Sequence, residues 1–200
     1  YNKIKTLLEM KKEYIKKYKK LFNSGISNYI ESIKLLKKNN NLFNKIILTA
    51  DKIYNLKKNK NKIIIFGNGG SAAESQHFSA ELVGRFLKNR YPIPSICLNT
   101  DTSAITAIAN DFGYKKVFSR QVNSVANSND IVFAISTSGK SSNIILGLLE
   151  ARKLNCQTIL LTGKNNSNNA DIVINVPAKR VDRIQELHLF IIHFICELVE

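Results

Sequence analysis

Over the first sixty residues the apolar positions return at three- and four-residue steps. Leu7, Met10, Tyr14, Ile15, Tyr18, Leu21 and Phe22 fall on one face of a helix, while Lys11, Lys12, Lys16, Lys17, Lys19 and Lys20 occupy much of the remainder. A second apolar set runs through Tyr29, Ile30, Ile33 and Leu36, and a third through Phe43, Ile46, Ile47, Ala50, Ile53 and Leu56, with a break expected in the asparagines of residues 39–41. Past residue 62 the period changes. Lys62-Ile63-Ile64-Ile65-Phe66 reads as a buried strand, followed by a glycine turn and a helix expected to run to about Leu87. Residues 94–98, 131–135, 158–161 and 172–176 are further strand candidates. Such strands, apolar on both faces and separated by helical sequence, predict a five-stranded parallel sheet with right-handed crossovers. The fold class expected is therefore α/β, a flavodoxin-like three-layer sheet flanked by helices and preceded by N-terminal helices. We expect a helical arm over residues 1–60 and an α/β domain over residues 61–200, together one structural unit.

In an open parallel sheet, ligands bind at the carboxyl ends of the strands, which directs attention to the loops after Phe66, Leu98, Ile135, Leu161 and Val176. Two of them carry anion chemistry. In Gly67-Asn68-Gly69-Gly70-Ser71 the glycines let backbone N–H groups approach an anion, and the following helix offers its positive end. In Ser136-Thr137-Ser138-Gly139-Lys140-Ser141, four hydroxyls and a helix start surround a space the size of one phosphate. Neither is a Walker loop, since the Gly-Lys-Ser/Thr ending with its spacer is missing. Gly67-x-Gly69-x-x-Ala72 does match a dinucleotide fingerprint, but Asp101 lies about 30 residues beyond it, past the ~20 expected of a ribose-binding acid. Ser141 or Ser138 capping the next helix is the plainer reading of the hydroxyls taken alone. Paired with the glycine loop in one sheet, they favour a monophosphate.

Titrating groups form a third constellation. His77 and Glu81, four apart, share a helix face one turn beyond the glycine loop. Near the C-terminus, Gln185 and His193 are eight apart, about 80° in azimuth and ~12 Å in rise, so they meet a common ion only by leaning toward each other. By spacing alone, helix-face polar residues are the plainer reading of this set. His188, one turn from Gln185, is expected behind the site or on the surface.

Composition trims these possibilities. Hydrophobic residues at 44% and charged residues at 22% are ordinary for a globular chain, and no apolar run reaches the ~18 residues of a membrane span. Cys97, Cys156 and Cys196 have no CxxC spacing, which argues against a disulfide framework or a cysteine zinc knuckle and fits a reducing cytoplasm. No export signal is evident at the start of the sequence. The net charge of +15 is concentrated in residues 1–62, with 17 basic and 4 acidic residues, against 13 and 11 in the remainder. Because Lys, Asn and Ile are abundant together, this lysine is read as composition rather than as specific nucleic-acid binding.

Taken in order, Gly67-Asn68-Gly69-Gly70-Ser71, Gln76-His77-Phe78, Glu81-Leu82-Val83-Gly84-Arg85-Phe86, Ala109-Asn110-Asp111-Phe112-Gly113, Ile135-Ser136-Thr137-Ser138-Gly139, Leu161-Thr162-Gly163 and Arg183-Ile184-Gln185-Glu186 resemble the sugar-isomerase (SIS) fold. Within it they resemble the phosphoheptose isomerases, over about residues 40–200. The resemblance implies a cytoplasmic aldose-ketose isomerase acting on D-sedoheptulose 7-phosphate for lipopolysaccharide or capsule heptose. It implies a homotetramer with active sites at subunit contacts. Carried over by position, it implies that Ser71, Ser136, Thr137, Ser138 and Ser141 hold the phosphate, that Asn68, Asn110 and Asp111 contact sugar hydroxyls, and that Gly69, Gly70, Glu81 and Gln185 line the substrate. It also implies one zinc per subunit held by His77, Glu81, Gln185 and His193, with Glu81 as base and His193 as acid. A non-catalytic relative that binds the replication initiator, or an isomerase of another sugar phosphate, is the alternative. The presence of both Glu81 and His193 favours catalysis. The basic arm is longer than the resemblance leads one to expect.

Overall fold

A computed structural model describes residues 2–163 and 169–200; the side chains of residues 2–10 and 57–59, including the expected apolar positions Leu7 and Met10, lie outside the described set. The chain divides into two compact units, Tyr1–Lys38 and Asn39–Glu200. The first is one helix, α1 (Asn2–Lys37), which carries the first and second apolar sets without interruption. Its Tyr14 and Tyr18 rings lie 5.6 Å apart, as four-residue spacing requires.

The second unit begins with α2 (Asn40–Asn59), started by Asn39, whose side chain accepts from the Leu42 N–H at 3.0 Å. Ile46, Ala50, Ile53 and Leu56 are buried against the sheet domain. The segment expected as a helical arm over residues 1–60 holds two helices, of which α2 lies in the second unit and buries Ile46, Ala50, Ile53 and Leu56 there, while Phe43 and Ile47 of the same apolar set are exposed. The remaining elements alternate. They are β1 (Ile63–Gly67), α3 (Gly70–Val83), β2 (Ser95–Cys97), α4 (Thr102–Phe112), α5 (Val117–Val125), β3 (Ile131–Ser136), α6 (Ser142–Lys153), β4 (Gln157–Thr162), β5 (Ile172–Asn175) and α7 (Val181–Leu198).

All strand pairings are parallel and the order is β2-β1-β3-β4-β5, so all five expected strands are present. Every residue of β1 and β3 is buried, which explains their unbroken apolar run. Side chains alternate between the two faces. Ile64, Phe66, Val132, Ala134 and Leu160 face Val117, Phe118, Val122, Ile144 and Leu148 of α5 and α6, and the Phe66 and Phe118 rings stack at 4.6 Å. Residues of opposite parity face α2, α3 and α7, where Phe78 meets Phe133 edge-on at 5.2 Å. Each fully buried Ile or Phe contributes roughly 1.5–3 kcal/mol of transfer free energy, so the two apolar layers dominate the stability of the sheet.

The amino ends of the strands are tied by carboxylates. Asp130, 1% exposed, accepts from Lys62 Nζ at 2.6 Å, the Lys62 N–H at 3.0 Å, Asn61 Nδ2 at 3.2 Å and the Asn127 N–H at 2.8 Å. Burial alone would push its pKa up, but these donors outweigh that and hold it below the ordinary value. Asp171 likewise accepts from the Thr158 N–H and hydroxyl, both at 2.8 Å. Cys97, Cys156 and Cys196 are free thiols, all buried. Among the described residues, no helix is long and apolar enough to cross a membrane.

Candidate active site

The glycine turn closes the carboxyl end of β1. Gly69 has φ +56°, a left-handed conformation that disfavours any Cβ, and the Ser71 N–H returns to Asn68 O at 3.0 Å. Gly67 and Gly70 have no such strain but need their missing Cβ for space. At Gly67 it would overlap the backbone of Ser71, and at Gly70 it would overlap the side-chain amide of Gln185. Asn99, which the sequence reading did not single out, holds this turn in place. Its side-chain amide accepts from the Gly67 N–H at 3.1 Å and donates to Gly67 O at 2.9 Å, continuing the sheet pairing one step past β2. Its only sequence signal is its place in a loop at a strand's carboxyl end. Asp101, the residue weighed for a dinucleotide ribose, caps α4 through the Ala104 N–H at 2.9 Å.

The hydroxyl-rich loop sits at the carboxyl end of the neighbouring strand β3. The Gly139 N–H donates to Ser136 Oγ at 3.2 Å, and the Lys140 N–H to Ser138 Oγ at 3.2 Å. Ser141 stands at the N-cap of α6 but makes no side-chain cap hydrogen bond. The capping weighed as the alternative for Ser141 is therefore absent; Asn143 Oδ1 accepts from the Ile144 N–H at 3.0 Å. Asn68 and Asn143 join the two loops through a reciprocal amide pair at 2.9 and 2.8 Å, and the Tyr114 hydroxyl donates to Asn68 Oδ1 at 3.1 Å. Asn110 and Asp111 lie exposed at the end of α4, bonded to each other at 2.9 Å.

Helices α3 and α7 run side by side in the same direction, as their successive contacts show. Gly70 meets Gln185, Glu74 Oε2 lies 3.7 Å from His188 Nδ1, and His77 Nε2 lies 2.8 Å from His193 Nε2. His77 Nε2 is also 3.8 Å from Glu81 Oε1. The structure therefore brings His77, Glu81 and His193 together. Gln185 makes its close approach to Gly70, two turns of α3 earlier than His77. His188 is fully buried between the helices, which corrects the surface half of the expectation for it.

Of two imidazole nitrogens 2.8 Å apart, one must carry the proton. Burial first, and then the neighbouring His77, lower the pKa of His193 below its ordinary value, with Glu81 partly opposing them. The Phe86 ring stacks on His193 at 5.3 Å, a contact that no sequence pattern announced.

Among the described residues, no group of three or more His, Cys, Asp or Glu is already spaced to hold a metal ion. The donors at the α3–α7 seam are nonetheless of the kind zinc takes, two imidazoles and a carboxylate. Ligand nitrogens around tetrahedral zinc stand about 3.3 Å apart at bonds near 2.05 Å, so the 2.8 Å contact between the rings would open by roughly half an ångström. The chemistry of these donors suits such an ion, which the ring contact would have to open to admit.

Comparison with known proteins assigns the chain to a family. The SIS-domain family model matches residues 28–163. The chain is 42% identical over 189 residues to a phosphoheptose isomerase of Aquifex aeolicus, covering 93% of this chain and 96% of that one. The chain belongs to the phosphoheptose isomerase family. It is also 50% identical over 146 residues to the Aliarcobacter butzleri member, covering 72% of this chain and 77% of that protein. The solved phosphoheptose isomerase structure from Neisseria gonorrhoeae superposes with a TM-score of 0.82 at 34% identity, covering 90% of this chain and 97% of that one. Membership of this family makes the chain an isomerase.

Proposed function

We propose that the protein interconverts D-sedoheptulose 7-phosphate and D-glycero-D-manno-heptose 7-phosphate, supplying heptose for lipopolysaccharide or capsule. The observation that carries this reading is the meeting of three side chains at the α3–α7 seam: His77, on the helix that follows the glycine turn, lies 2.8 Å from His193 of α7 and 3.8 Å from Glu81. The reaction shifts one proton between C1 and C2 through a cis-enediol. Glu81 takes the proton from C1 of the ketose and returns it to C2, while His193 passes a proton between O1 and O2. A lowered pKa keeps the His193 imidazole neutral at pH 7, able to accept at one nitrogen and donate at the other. Ser71, Ser136, Thr137, Ser138 and Ser141 hold the phosphate at the far end, and that remote binding positions C1 and C2 over the carboxylate. Asn110 and Asp111 take sugar hydroxyls, and Asn68 does so by yielding part of its bonding to Asn143 and Tyr114.

His77, Glu81 and His193, with Gln185 turning from Gly70, are the residues that would hold a zinc ion. When bound, zinc supplies Lewis-acid polarisation of the sugar oxygens. The test is a coupled assay of sedoheptulose 7-phosphate turnover before and after chelation, with elemental analysis. Turnover together with about one zinc per chain that falls in His77→Ala is expected. No turnover of this substrate overturns the reaction, and turnover by protein without stoichiometric metal overturns the zinc.

The reading includes cytoplasmic, homotetrameric protein with sites at subunit contacts. Tyr14, Ile15, Tyr18, Leu21 and Phe22 of α1 are exposed in the single chain, and an amphipathic helix gains little stability until such a face is covered. In this reading α1 packs between subunits with its lysines in solvent. Deleting residues 1–20 is expected to reduce oligomer size or stability in light scattering. The full chain is expected to bind duplex DNA no tighter than about 10⁻⁵ M near physiological salt.

A further inference from the structure

The segment after α3 has no regular structure, yet it is closely held. α3 was expected to continue to about Leu87; it ends at Val83, where the Gly84 N–H closes on Ala80 O at 2.8 Å. The N–H groups of residues 86–88 turn to one side and meet a single carboxylate. Glu200 Oε1 accepts from Phe86 at 3.0 Å, Leu87 at 2.8 Å and Lys88 at 3.0 Å, and Oε2 accepts from Lys88 at 3.0 Å. Successive backbone N–H groups arranged this way form an anion-binding concavity, and here the anion is a side chain two residues past the end of α7. Burial would push the Glu200 pKa up; the three N–H groups and Arg90 outweigh it and hold the carboxyl below its ordinary value, so it stays charged. Arg90 secures the other end of the segment, with Nη2 donating to Glu81 O at 2.7 Å and Nη1 to Leu82 O at 2.8 Å.

Between these two anchors Phe86 lies nearly flat on the His193 ring, with centroids 5.3 Å apart and planes 24° apart. His77 meets the same ring edge-on at 5.0 Å. An imidazole held by one stacked and one edge contact has its plane fixed, and the plane decides where Nε2 points.

We propose that Glu200 is a positioning residue for the isomerisation: its carboxylate folds the segment at residues 84–88 so that Phe86 seats the His193 imidazole in its working orientation. This rests on the role given to His193 above. Phosphate binding belongs to loops on β1 and β3, so loosening the segment lowers the rate of the chemical step and leaves substrate affinity nearly unchanged.

The test uses the full chain with Glu200→Gln, Glu200→Asp, Phe86→Leu and the Glu200→Gln/Phe86→Leu double variant, read by sedoheptulose 7-phosphate kinetics and by hydrogen exchange at the amides of residues 86–88. Glu200→Gln is expected to lower kcat about tenfold with KM within about twofold, the scale of a misplaced rather than a missing catalytic group, and to expose those amides to exchange. Glu200→Asp should recover part of both. The double variant should be no slower than Phe86→Leu alone, because both changes remove the same support. Losses that multiply in the double variant, a loss residing in KM, or normal kcat with exposed amides overturns the positioning role. Unchanged amide protection in Glu200→Gln overturns the anchor itself. An inactive parent enzyme instead refutes the isomerase reading, and the amide measurement still judges the anchor. Should Glu200→Gln fail to fold, Glu200→Asp and Phe86→Leu carry the same comparison.

Discussion

The two ends of strands β1 and β3 use polar residues in opposite ways. At the amino end, Asp130 draws donors from residues 61, 62 and 127, and its charge is compensated within the chain. At the carboxyl end, Gly69 and Gly139 take left-handed conformations, Ser141 stands at a helix start without capping it, and two imidazoles press against each other. The same sheet supports both ends. A buried carboxylate satisfied by its own chain fixes geometry, whereas polar groups left incompletely matched keep their bonding capacity for a ligand. On this contrast, losses at the amino end are expected to lower stability and losses at the carboxyl end to lower activity.

The largest break in that contrast is expected at Glu81. Glu81→Gln preserves shape and should lose at least about 10²-fold in kcat, the usual scale for a proton-transferring group, with an unchanged melting temperature; near-normal turnover in the folded variant removes Glu81 from the role of base. The converse belongs to Asp130. Removing one partner of a buried ion pair costs roughly 3 kcal/mol, so Asp130→Asn should melt roughly 6–12 °C lower while kcat, measured well below the transition, stays within about twofold. The sign with pH follows from the depressed folded pKa of Asp130. Its contribution is fully present above the unfolded value near ~3.9 and is lost as pH falls through the lower folded value, so the gap between wild type and variant should close only in strong acid. The mildest effect is expected at Ser141. Ser141→Ala removes a hydroxyl that caps nothing, so stability should hold while KM rises about tenfold, as for one lost hydrogen bond to a charged group. A drop in melting temperature without a change in KM would move Ser141 to the structural side of the comparison.

The sequence displays the sheet more clearly than the seam between α3 and α7. Strands β1 and β3 are legible because burial on both faces demands an unbroken apolar run, and the break before α2 is legible because Asn39 must supply a cap. The glycine turn after β1 and the hydroxyl-rich loop after β3 are legible as loops at strand ends from their glycine and serine content. The place where α3 stops is not. Leu82, Val83, Phe86 and Leu87 continue a helical pattern, and what opposes it is Gly84 together with a carboxylate more than a hundred residues away. The bonding of Asn99 and the contact of Phe86 with His193 were not legible for the same reason, since each involves a partner distant in sequence. His188 shows the limit of spacing arguments. One turn from Gln185, it has the same local environment on paper as an exposed histidine, and only the packing of α3 reveals its burial.

The buried thiols give the molecule a set of internal clocks. Cys156 is pushed up to about 11 and Cys196 to about 12, chiefly by burial, so at pH 7 roughly one Cys156 in ten thousand carries the reactive thiolate even before access is considered. An alkylating reagent must therefore wait for the surrounding structure to part. The three sites sample different movements: Cys97 ends β2 beside the glycine turn, Cys156 sits at the amino end of the sheet against Asn127 O, and Cys196 lies on the helix that carries His193. Their separate alkylation rates would time the breathing of the carboxyl end of the sheet, its clasped amino end and helix α7 in one unmodified chain.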